Sequence, residues 1–223
     1  MEKVQLLLRQ HVGAPCAPCV AVGDKVKKGT LIATPTGLGA NIFSSVYGEV
    51  SEILEDRIVI KADAEQPDEF VPIDVPEDAS KLDMIKAAGI VGMGGAGFPT
   101  GIKLNIDLSA TEQGEFREDI NPELPKDFKL EHSYILINDS ECEPGLAHNI
   151  KQTIEQTDKV IRGVKYCMEI TKADKAIFAN KKKNREAVLK LLDALKDEEN
   201  ISVHLLPDIY PMGEERAVVQ IGR

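Results

Sequence analysis

Gly89-Ile-Val-Gly-Met-Gly-Gly-Ala-Gly-Phe-Pro-Thr-Gly-Ile-Lys-Leu104 is the stretch on which the reading of this chain turns. It packs six glycines, one proline and one lysine into sixteen residues, a density that no ordinary core helix or strand tolerates. Backbone N–H groups freed of side chains can close on a bulky anion, and Lys103 is at hand to neutralise it. Gly92-x-Gly94-x-x-Gly97 also matches the dinucleotide fingerprint letter for letter. That fingerprint needs a strand before it and a helix after it. Here the preceding segment, Lys81 to Ala88, is helical in pattern, with Ser80 at the N-cap and Asp83 at the capping-box position. Phe98-Pro99-Thr100 delays any following helix until the proline has passed. The stretch therefore predicts a phosphate cradle for a nucleotide-like cofactor, outside an ordinary Rossmann first turn.

Upstream, residues 61–79 are acidic and rich in proline, which marks a domain boundary near residue 75. Before it stand short apolar runs between glycine turns: Val20 to Ala33, Ile42 to Ile53 and Arg57 to Ala62. They predict a small β sandwich or barrel over residues 1–75. Cys16-Ala-Pro-Cys19 has redox-pair spacing, but it sits between prolines at the entry to a strand, with no helix to lower a thiolate's pKa. It also lacks the second pair a zinc site needs, so structural cysteines are preferred to a redox pair and no metal site is expected. His11 is read as a packing residue.

Downstream, Ser133 to Asn138 is a nearly continuous apolar strand of the kind buried in parallel sheets. An acidic loop follows, Asp139-Ser-Glu-Cys-Glu-Pro-Gly145. Asn149 to Ile170 carries a helical stripe, Ala176 to Ala179 reads as a second strand, Glu186 to Lys196 as a helix capped by Asn184, and Ile201 to Leu206 as a third strand. This alternation predicts a Rossmann-like α/β domain over residues 76–223, with a parallel sheet and right-handed crossovers. Ligands bind beyond the carboxyl ends of such strands, where Glu141–Gly145 and Tyr210–Glu215 both fall. The lysines at 181–183 are read as a solvated helix start, and residues 105–132 as polar loop.

Composition narrows the function. Of 223 residues, 43% are hydrophobic and 29% charged, which are globular values. The net charge of −10 argues against a nucleic-acid partner. No apolar run reaches about 18 residues, so no membrane span is expected, and a cytoplasmic protein with reduced thiols is the default.

Three motifs stand in order: GxGGAGFPTGxK at 92–103, N-x-x-E-x-EPG at 138–145 and YPxGEE at 210–215. Together they resemble the NADH-dehydrogenase flavoprotein family, which includes the flavin subunit of respiratory complex I and the RnfC subunit of the Rnf complex. The VGDKVKKG segment resembles the barrel-sandwich hybrid that the RnfC subunit adds, a fold shared with biotinyl and lipoyl carriers. No lysine lies between Thr30 and Arg57 to bear a carrier's prosthetic group, so swinging-arm chemistry is excluded. IATPTGLGAN and YPMGEERA look closest to the branch associated with proline reductase, the PrdC proteins.

The resemblance implies a complex I flavoprotein-type FMN-binding fold. It places Gly92, Gly94 and Lys103 along the FMN phosphate and ribityl chain. Asn138, Glu141 and Cys142 would hold the flavin, and Tyr210, Gly213 and Glu214 would close the site. Gly95, Ala96, Phe98, Glu143 and Glu215 would contact NADH. Hydride would pass directly to the flavin, with no catalytic side chain, making the chain a component of an NADH:acceptor oxidoreductase. Implied partners are NADH and other electron-transfer or reductase subunits, proline reductase or a membrane-bound Rnf-type complex among them, with the chain peripheral to the membrane. Met93 replaces an arginine of the complex I pattern and Ser140 an aspartate. The family's 4Fe-4S cysteine runs fall beyond Arg223, so a truncated chain is expected. Two other readings stay open: a non-catalytic docking module, and a thiol redox protein using Cys16 and Cys19.

Overall fold

The structure is a computed structural model that describes residues 2–93, 95–109, 132–141, 143 and 145–221. Packing separates the chain into two units, Met1–Asn105 and Ile106–Arg223.

The first unit is built from two antiparallel sheets. One has the order β1-β7-β6-β3, from β1 (Lys3–Leu7), β7 (Arg57–Ala62), β6 (Gly48–Ile53) and β3 (Lys25–Val26). The other has the order β2-β4-β5, from β2 (Cys16–Pro18), β4 (Leu31–Pro35) and β5 (Ile42–Phe43). Ile32, Val50, Ile58 and Ile60 are fully buried between them, with Leu8 and Val26 alongside, so the barrel-sandwich hybrid closes on a small aliphatic core. β7 occupies the stretch expected from its apolar run. Val20 to Gly23, expected to begin a strand, instead forms a turn, in which the Asp24 carboxylate accepts from the Ala21 N–H at 2.8 Å. β1 was not expected: its residues alternate between exposed and half-buried with none fully buried, and pairing with β7 from Lys3–Lys61 to Leu7–Arg57 makes it a strand. The acidic proline-rich segment folds back on the sandwich, where Val71 N–H donates to the Lys28 carbonyl at 2.8 Å and Tyr47 Oη to that of Glu69 at 3.0 Å.

Helix α1 (Lys81–Ala87) starts as expected, with Ser80 Oγ accepting from Asp83 N–H at 3.1 Å. The glycine stretch follows, and α2 (Thr100–Lys103) begins only after Pro99. Helix, loop, helix is the order that excludes a Rossmann first turn.

The second unit holds β8 (Tyr134–Asn138), β9 (Lys175–Lys181) and β10 (Ile201–Leu206) as a parallel sheet in the order β10-β9-β8. Phe178 and Ala176 face α4 (Thr157–Thr171) and α5 (Arg185–Ala194), where Ile161, Val164 and Leu191 complete one core. On the other face Leu136, Ala179 and Leu206 pack with Met212 and Val218, the latter from α6 (Glu215–Ile221). The single helix expected over 149–170 is two, α3 (His148–Glu155) and α4, parted at Gln156, whose φ and ψ of −135° and 35° leave the helical basin. Asn184 stands at the N-cap of α5 without a capping bond; its amide donates to Asn180 Oδ1 at 2.8 Å instead. The lysine run is likewise not one solvated face. Lys181 ends β9 and is buried, its Nζ donating to the Glu141 carbonyl at 2.8 Å. Most of the 105–132 stretch lies outside the described residues.

Candidate functional site

In the first unit the glycine stretch is a closed excursion. Val91 and Pro99 bridge its base, Gly92 N–H donates to the Phe98 carbonyl at 2.9 Å, and Thr100 N–H to that of Ile90 at 2.9 Å. Its glycines divide by what a Cβ would meet. At Gly89 it would fall 2.3 Å from the Asn41 carbonyl oxygen, at Gly101 2.5 Å from Lys86 Cγ, and at Gly97 3.1 Å from the Gln10 carbonyl oxygen. These three serve packing. Gly92 has nothing nearer than 3.7 Å, and Gly95, at φ 108°, has nothing within 4 Å. A left-handed glycine facing open space is what a close approach to a ligand requires. Ala96 and Phe98 are exposed beside it, as are Lys103 and Met93, the latter 93% accessible where the complex I pattern has arginine. Gly94 lies outside the described residues.

In the second unit the site grows from the end of β8. Asn138 Nδ2 donates to the Gly213 carbonyl at 2.8 Å, which joins the strand's carboxyl end to the YPMGEE segment. The two residues stand 75 positions apart in the sequence. The Asn138 Oδ1 is buried and has no partner among the described residues. An unpaired buried acceptor costs about 1–3 kcal/mol, so it calls for a donor. Tyr210 is 81% exposed, while Met212 anchors the segment in the core beneath. Glu214 accepts the Ala217 N–H at 3.0 Å and so caps α6, and Glu215 is exposed at its start.

The acidic loop divides its labour. Ser140 Oγ donates to the Ala179 carbonyl at 3.0 Å. The Glu141 carboxylate, expected on the flavin, accepts Asn149 N–H at 2.7 Å and lies 3.6 Å from His148 Nδ1, closing the N-terminus of α3. Glu143 is exposed, whereas Cys142 lies outside the described residues. Sequence reasoning passed over Asp139. It is buried at the foot of a cleft of about 420 Å³ that Asn149, Gln152, Thr153 and Lys159 also line. Thr153 Oγ1 donates to it at 3.0 Å and Asn180 Nδ2 at 2.7 Å. Burial nevertheless pushes its carboxyl up to about 6, with the Glu141 charge adding to the shift.

The cysteine pair has the wrong setting for thiol chemistry. Cys16 is buried and donates to the Ala40 carbonyl at 3.3 Å, while Cys19 is exposed and turned to the Leu31 carbonyl at 3.6 Å. Burial raises both thiols, opposite to an activated nucleophile. His11 is buried and hydrogen-bonded, a packing residue as expected.

The Nuo51 FMN-binding domain family matches residues 85–221, and the RnfC barrel sandwich hybrid domain family matches residues 1–71. Among curated proteins, the C-subunit of the proton-translocating ferredoxin:NAD(+) oxidoreductase complex of Clostridium ljungdahlii is 34% identical, over 99% of this chain and 47% of its own length. The Na(+)-translocating counterpart of Acetobacterium woodii is 29% identical, over 98% and 48%. Cobalamin reductase PduS of Salmonella typhimurium is 34% identical over 59% of this chain and 23% of its own. The chain spans about half the length of the first two relatives. Among the described residues no helix is long and apolar enough to cross a membrane.

Proposed function

This chain belongs to the RnfC family of Rnf-complex subunits and carries its FMN-binding domain, and we propose that it binds FMN to take hydride from NADH and hand electrons to a partner protein. The observation that carries the proposal is the buried, unpartnered Asn138 Oδ1, set at the carboxyl end of a parallel strand and braced by Gly213. An acceptor so placed fits a flavin ring N–H or a ribityl hydroxyl. FMN, when bound, accepts a hydride and releases electrons one at a time.

The chain's own residues position and neutralise. In the first unit, Gly92, Gly94 and Gly95 offer backbone without side chains, Lys103 supplies a cation for phosphate, and Ala96 and Phe98 present apolar surface, Phe98 for stacking on a ring. In the second, Asn138 accepts from the flavin. Glu141 holds the acidic loop on α3, Cys142 would contact the flavin, and Tyr210, Gly213 and Glu214 would close the site. Glu143 and Glu215 are exposed carboxylates suited to ribose hydroxyls of NADH. Partners would be electron-transfer subunits of a membrane-bound Rnf-type complex, or a soluble reductase such as proline reductase.

FMN titration followed by fluorescence quenching, then anaerobic NADH addition, tests this. Quenching that saturates, and bleaching of the flavin by NADH, are expected. Asn138→Ala should weaken FMN by about tenfold or more. No quenching at high micromolar FMN would leave the second reading, a docking module, which the exposed Met93 in place of a phosphate-binding arginine favours.

A further inference from the structure

We infer that the barrel-sandwich hybrid is the mould of the glycine loop, and that His11 is the positioning residue that sets the mould. The inference rests on the flavin reading only for what the loop is used for. The crown of the excursion is held from the sandwich side, where Val12 N–H donates to the Ala96 carbonyl at 2.8 Å. Next to it Gly97, at φ 65°, presses on the same edge: a Cβ there would stand 3.1 Å from the Gln10 carbonyl oxygen and 3.2 Å from His11 Cα. Only glycine fits both the backbone angle and the space.

The His11 ring fixes that edge. Its Nε2 accepts Ala40 N–H at 3.1 Å, which leaves the proton on Nδ1, donating to the Val12 carbonyl at 3.0 Å. Cys16 Sγ packs 3.5 Å from Nε2. The ring therefore ties residues 11–12 to the turn around Ala40. Gly39 leaves it room, since a Cβ there would fall 2.7 Å from the ring's Cε1. The same turn shapes the other end of the glycine stretch: Asn41 Nδ2 donates to the Ala87 carbonyl at 3.0 Å, and the Asn41 carbonyl oxygen fills the space beside Gly89. Both Gly89 and Gly97 are thus moulded by two points that one imidazole joins. A carrier-type domain without a carrier lysine keeps a use here as the template that curves Gly92 and Gly95 outward.

Hydrogen exchange of peptides covering 89–104, run beside the FMN titration, tests this. The samples are the wild-type chain, His11→Phe, His11→Gln and Gly97→Ala. His11→Phe keeps the bulk but leaves Ala40 N–H without its acceptor. Exchange at 89–98 should rise about tenfold and FMN affinity fall by a similar factor, while peptides at 57–62 and 175–181 keep their protection. His11→Gln, whose amide oxygen reaches where Nε2 stood, should restore both. Gly97→Ala attacks the same contact from the loop, and gives the same local signature if His11→Phe does not fold. Unchanged exchange at 89–98, or exchange rising equally at 57–62, overturns the inference. Failure of the wild type to bind FMN overturns the flavin reading instead, and the exchange comparison still decides the mould.

Discussion

A carboxylate buried at the end of a parallel strand must lose its charge or gather donors, and Asp139 does part of each. Thr153 and Asn180 donate to it, yet burial still holds its pKa near 6 against an ordinary 3.8. Between those values the folded chain keeps a proton that the unfolded chain has released. The contribution of this one group is therefore most favourable below about pH 4 and declines as the pH rises towards 6, by roughly 3 kcal/mol at most. Asn at this position accepts from Asn180 Nδ2 through its one oxygen and donates to the Thr153 hydroxyl through its amide, without the charge. The wild type minus Asp139→Asn difference in unfolding free energy should fall through that window, and a flat difference between pH 4 and 6.5 would contradict it. Gly92 gives a second residue-level expectation. Its φ is unstrained and its nearest neighbour is 3.7 Å away, so Gly92→Ala should change stability by no more than about 0.5 kcal/mol. On the proposed flavin reading it should nevertheless weaken FMN in the quenching titration, because it adds a methyl to backbone proposed to meet the ligand.

At the scale of elements, periodicity was informative where burial is regular. β7, β8, α5 and β10 lie where apolar runs predicted them, because a strand buried on both faces, or a helix with one buried stripe, writes its environment into its composition. The failures have a common cause in contacts distant along the chain. β1 depends on pairing with β7, and Asp139 on partners 14 and 41 residues away. Lys181 looked like one of three solvated lysines until β9 ran through it and Glu141 offered a carbonyl. That contact makes the end of β9 a support for the acidic loop. Lys181→Met keeps the buried stem and removes the donor, and should cost about 1–3 kcal/mol. Exchange should rise between 139 and 149, whereas the exposed neighbour, changed as Lys182→Met, should stay within about 0.5 kcal/mol.

For the molecule as a whole, the sequence motifs did not tell one glycine's role from another's. All six looked like space for a ligand, because a missing Cβ does not announce what stands in its place. Gly89, Gly97 and Gly101 turn out to be filled by the chain's own backbone or side chains, while a Cβ at Gly92 would meet only the Phe98 backbone at 3.7 Å and one at Gly95 nothing within 4 Å. The two fold types were legible for a different reason. Short strands between glycine turns and alternating strand–helix runs have distinct periods, and the two units carry separate cores accordingly. Ile60 is fully buried in the first, between the antiparallel sheets, and Phe178 in the second, between the parallel sheet and its helices. Ile60→Ala should therefore cost about 2–5 kcal/mol and Phe178→Ala about 3–5 kcal/mol, each as a cavity in its own core. Hydrogen exchange separates the two effects: the first change should expose the amides of β6 and β7 and spare β8 to β10, and the second should do the reverse. If either variant opened both sets of strands equally, the two cores would be one cooperative body.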